Sequence, residues 1–107
     1  MYKIFAIMND GMRMEVPDNK IKKIADAIFK VEMYELITGL KYEIVTNYGT
    51  VCKYVIFARY NADKKLYFDD PLDSFMEALR HVEVYKKSNP APYYFIKDLE
   101  SGDEVEP

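Results

Sequence analysis

The chain has 107 residues, half of them hydrophobic and 31 % charged, with a net charge of −3 and a single cysteine. That length and apolar fraction suffice for one core without disulfides or metal, and Cys52 has no second cysteine to pair with. The balanced charge excludes extended disorder and disfavours a densely anionic partner such as nucleic acid, because clustered lysine occurs only at Lys20, Lys22, Lys23 and Lys30.

Tyr2 to Met8 reads as a strand with apolar side chains on both faces, as expected of a sheet interior. Asn9-Asp10-Gly11 is a turn signal, and Met12, Met14 and Val16 alternate with Arg13 and Glu15, so the first two strands should form a hairpin. After Pro17, Asp18 is suited to cap a helix over 18–30, with Ile21, Ile24, Ala25 and Ile28 facing inward and Lys22, Asp26 and Lys30 outward. Extending that helix would carry Glu32 and Glu35 onto the apolar face, which predicts a break near Lys30 and an irregular or extended segment over 31–37. The competing reading is a long helix to Thr38, closed by Gly39 in the left-handed conformation and followed by Leu40.

Leu40 to Thr46 alternates as a strand, and Asn47 to Thr50 turns into the most apolar run of the chain, Val51 to Tyr60, expected to be a central strand. A polar turn at 61–64 and a short strand at 65–68 would complete a meander of three antiparallel strands. Asp70 as N-cap and Pro71 at the first helical position then predict a helix to about Lys87, with Leu72, Phe75, Met76, Leu79 and Val82 as its apolar stripe. Asn89 to Pro92 ends it, Tyr93 to Asp98 is a last strand, and the acidic end 103–107 is expected to fray. The order describes a single α+β domain over 1–107, with two helices on one face of a mainly antiparallel sheet of about five to six strands. A ferredoxin-like β-α-β-β-α-β core is embedded in it if the second and the short fourth strands are additions.

Motifs that carry chemistry are missing from the sequence. It has no phosphate-binding glycine loop, nucleophile elbow, HExxH or CxxC pair. His81 shares the polar face of its helix with Glu77, but no nucleophile accompanies the pair. Asp69, Asp70 and Asp73 lack the spacing of a calcium loop and suit helix capping. No catalytic, metal or cofactor site is therefore assigned. The expected product is not an enzyme.

Ten tyrosines and six phenylalanines point instead to contact. Phe5, Phe29, Phe57, Phe68, Phe75, Tyr54 and Met76 are core by periodicity, while rings at element ends are free for a partner. The candidate partner-binding residues are Glu32, Tyr34 and Glu35, an acidic pair around an aromatic ring, and the Tyr93-Tyr94 pair after the proline break.

The function expected is a small protein-interaction module that occupies a surface of another protein or of its own copy. Heavy lysine, isoleucine, tyrosine and asparagine usage, with sparse glycine and alanine, fits an AT-rich genome such as a low-GC bacterium or its phage. Its most concrete form is thus a phage or mobile-element accessory protein that inhibits a host defence nuclease, in the manner of an anti-CRISPR. The alternative is a binder or sponge for a nucleotide-like small molecule. The segment MYKIFAIMND has no secretory pattern, and no apolar run reaches the length of a membrane span, so a cytoplasmic protein of a bacterial host is expected.

Overall fold

The computed structural model describes residues 1–17, 21–61 and 64–107, with the side chains of Lys64 and Asp69 also outside the description. The proposed capping role of Asp18, Lys20 of the lysine cluster and the centre of the turn expected at 61–64 therefore lie outside the described residues. Two helices and antiparallel strands make an α+β fold, divided into two compact units, Met1–Cys52 and Lys53–Pro107.

The first unit holds β1 (Tyr2–Ile7), β2 (Arg13–Glu15), α1 (Ile24–Thr38) and β3 (Lys41–Thr46), with sheet order β2-β1-β3. The expected hairpin joins β1 to β2: Gly11 adopts φ 87°, the left-handed turn conformation, and the Met12 amide donates to Asp10 Oδ1 at 3.0 Å. β1 is the central strand, pairing Ile4 with Ile44 and Ala6 with Tyr42. Its alternation buries Tyr2, Ile4 and Ala6 on one side. On the other, the Arg13 guanidinium lies 4.6 Å from the Phe5 ring centroid and 3.0 Å from Glu43 Oε2.

α1 packs on β1 and β3 through Ile24, Ala27 and Ile28. The break expected near Lys30 does not occur, and 31–37 is helical rather than extended. Ile21, which had helped to define the apolar face, precedes the helix and bridges to Tyr2, whose amide donates to its carbonyl at 2.7 Å. Past Ile28 the contact with the sheet shifts to Tyr34, and Glu32 and Glu35 stay exposed, so the conflict that argued for a break does not arise. The helix ends as the competing reading required: Gly39, at φ 72°, donates its amide to Glu35 O.

The second unit holds β4 (Tyr54–Asn61), β5 (Lys64–Leu72), α2 (Phe75–Ser88), β6 (Tyr93–Asp98) and β7 (Glu104–Val105), in the sheet order β5-β4-β6-β7. The meander of three consecutive strands is corrected, since β3 pairs with β1 while β4 pairs with β5 and β6. The strands thus form a three-stranded and a four-stranded sheet instead of one. All the described pairings are antiparallel, so the parallel central pair of a ferredoxin-like core is not among them.

β4 is central, as its double-sided apolar sequence predicts, with Val55, Ile56, Phe57 and Ala58 all buried. Ile56 and Ala58 meet Ala78 and Val82 of α2 and Tyr94 and Ile96 of β6, and these six form the unit's core. On the opposite sheet face the Phe57 and Phe95 rings stack at 5.2 Å, with Arg59 5.1 Å from the Phe95 ring.

β5 is longer than expected and runs through Pro71, which does not open a helix. Pairing of Leu72 with Tyr54 holds the strand together to its end, and an edge strand tolerates a residue without an amide hydrogen. The N-cap of α2 is therefore Ser74 rather than Asp70, with Ser74 Oγ accepting from the Glu77 amide at 3.1 Å. Met76 leaves the predicted core stripe and is exposed. The acidic end does not fray as expected, because Glu104 and Val105 pair with Lys97 and Ile96, and Glu104 approaches Arg59 and Lys65 at 3.5 Å each.

Ser74→Ala should lower stability by about 1 kcal/mol while Ser74→Asp retains most of it, as read from urea-denaturation midpoints.

Candidate functional site

A helix apolar on one stripe hides that stripe against its sheet; α1 carries a second stripe. At about 100° per residue, positions 29, 33, 36 and 37 fall on one side of the helix, opposite the buried Ile24, Ala27 and Ile28. The four are apolar and open to solvent: Phe29 is 66 % exposed, Met33 40 %, Leu36 87 % and Ile37 73 %. Phe29, expected in the core, is corrected to this outer face. The other three went unnoticed because the helix was expected to stop before them. Their spacing is visible in the sequence once the helix is continued to Thr38.

Glu32, Tyr34 and Glu35 share this helix but have different surroundings. Both glutamates are exposed. Lys30 and Glu32 lie on opposite flanks of the stripe by helical spacing. Tyr34 turns towards the sheet, its ring centroid 5.5 Å from that of Tyr42, and its carbonyl accepts from Thr38 Oγ1 at 2.8 Å. The Thr38 hydroxyl also lies 2.9 Å from the Tyr42 phenol oxygen, so Tyr34 helps tie the end of α1 to β3.

Tyr93 and Tyr94 do not act as a pair, because consecutive strand residues point to opposite faces. Tyr93 is exposed, whereas Tyr94, expected at a partner surface, is 2 % exposed in the core. Its hydroxyl donates to Asn89 O at 2.7 Å, and its ring lies 6.0 Å from Phe68 and 6.1 Å from Tyr85. Burial, and secondarily the nearby Tyr60 phenol, push the Tyr94 phenol above its ordinary pKa. The second candidate is thus reduced to Tyr93.

His81 is half-buried and meets Tyr85 edge-on at 6.2 Å. Of the acidic trio, Asp70 lies in β5, Asp73 is exposed between β5 and α2, and the Asp69 side chain is not described. Among the described residues, no three potential metal ligands converge, and no helix is long and apolar enough to cross a membrane.

Tyr34→Ala should cost about 1–3 kcal/mol in a urea titration, through lost area and the lost aromatic pair, marking the ring as a support of α1. For Tyr94, the folded state holds its proton to higher pH than the unfolded chain does. Its contribution to stability is therefore present below the unfolded value of about 10 and is lost as pH rises through the folded value. Urea titrations at pH 8 and above pH 10 should show a smaller alkaline loss in Tyr94→Phe than in the wild type.

Compared with family models, with curated proteins and with solved structures, the chain matches none.

Proposed function

We propose that this chain is a protein-interaction module that works by contact and docks through the outward face of α1. The observation that carries the reading is the run of exposed apolar side chains at 29, 33, 36 and 37 on a helix whose opposite face already packs on its own sheet. Leaving such a stripe in water is unfavourable by roughly 25 cal/mol per Å² of apolar surface, and covering it supplies the driving force for association. The side chains suit that role: Phe29 is a rigid aromatic anchor, Met33 an adaptable filler, and Leu36 and Ile37 are branched aliphatics. The narrower form, a phage or mobile-element inhibitor of a host defence nuclease, draws support from the small acidic chain, its AT-rich usage and the exposed Glu32 and Glu35.

Replacing Leu36 and Ile37 together by glutamate should abolish complexes recovered by affinity capture, or weaken them at least tenfold. Because both side chains are exposed, the urea midpoint should stay within about 0.5 kcal/mol of the wild type. Equal recovery of every bound species by wild type and variant, at low and moderate salt, would overturn the reading.

A further inference from the structure

We propose that the outward face of α1 pairs with the same face of a second copy of this chain, in parallel about a two-fold axis; this rests on the interaction reading above and names its partner. A patch that binds its own copy must be self-complementary. The apolar strip Phe29, Met33, Leu36 and Ile37 meets that condition, because any of these side chains packs against any other.

The flanking charges meet it in one orientation only. Lys30 borders the strip on one side and Glu32 on the other. A parallel two-fold pair turns the Glu32 flank of each copy towards the Lys30 flank of its mate, as charged positions beside a coiled-coil seam do. An antiparallel pair would set Glu32 against Glu32. Asp26 falls on the same side of the helix two turns before Met33. The copies keep these carboxylates apart by crossing near Met33 with their N-terminal ends splayed, as ridges-into-grooves packing provides.

The area suffices. At the exposures given above, the four residues leave on the order of 500 Å² in water, within the range of the largest patch on a monomer. Complete coverage of two such faces would withdraw about 1,000 Å² together, the threshold for a specific interface. The pair is therefore at the small end of specific contacts, and a dissociation constant of the order of micromolar is the expected outcome.

Native mass and sedimentation of the purified chain should show a dimer at about 100 µM, where a micromolar pair is nearly saturated. Leu36→Glu should leave a folded monomer. Lys30→Glu and Glu32→Lys should each weaken pairing at least tenfold, and mixing the two variants should restore a heterodimer, since each then meets the opposite charge on both flanks. Leu36→Cys should yield a covalent dimer on oxidation, with the wild type as control for buried Cys52, because parallel pairing sets position 36 against itself. A wild-type monomer at that concentration overturns the self-pairing. If that monomer binds a different protein through a contact that Leu36→Glu abolishes, the interaction reading stands alone. A dimer that Leu36→Glu leaves intact overturns self-pairing through α1 and leaves the interaction reading to the capture experiment, and a dimer in which Leu36→Cys fails to cross-link overturns the parallel arrangement.

Discussion

Helix α1 has apolar side chains on two opposite faces and one sheet to lie on. Ile24, Ala27 and Ile28 take that sheet, so geometry leaves Phe29, Met33, Leu36 and Ile37 facing water. Three features follow from this division. Glu32 and Glu35 stay exposed on the later turns of the helix, past the buried Ile24, Ala27 and Ile28. Tyr34 becomes the last inward contact of the helix, and the Thr38 and Tyr42 hydroxyls close the helix end beside it. The exposed apolar face is thus a consequence of how α1 rests on β1 and β3.

The second unit also leaves apolar side chains in water, Met76 and Val84 of α2 among them. The inward side of α2 packs Ala78 and Val82 into the core with β4 and β6. Small residues at Ala58 and Ala78 let strand and helix approach closely, and the surrounding rings fill the volume around them. Tyr94 is the largest side chain of this core, and its polar tip is satisfied by the Asn89 carbonyl just past the end of α2. The same residue therefore fills the core and anchors the α2-to-β6 connection.

Local signals were legible where the chain's own chemistry decided the outcome. The Asn9-Asp10-Gly11 turn, the left-handed Gly39, the two-faced apolar strand ending at Tyr60 and the strand at 93–98 are all visible in side-chain type and spacing. Where signals competed, the local reading failed. Asp70-Pro71 is a good helix start by chemistry, but the edge of β4 was available for pairing, and the strand continued to Leu72 before Ser74 took the cap. At 31–37 the spacing of Glu32 and Glu35 from Ile28 argued against a helix, but the later turns of α1 are exposed at both positions and the helix continues to Thr38.

For the candidate site, Glu32 and Glu35 were chosen on charge, and Tyr34 on its place between them. The apolar residues that define the face were missed, because periodicity marks a side chain as apolar without saying which side of the helix meets a sheet. By itself, then, the sequence determined most of the elements, the turns at 9–11 and 47–50, the α+β class and the aromatic supply. The tertiary structure alone decided how the strands divide between two sheets, that Tyr94 lies inside and Tyr93 outside, and that Phe29 faces water. The physical reason is that burial belongs to pairs of surfaces: a residue carries its hydrophobicity in the chain, but the element it packs against comes from elsewhere in the fold.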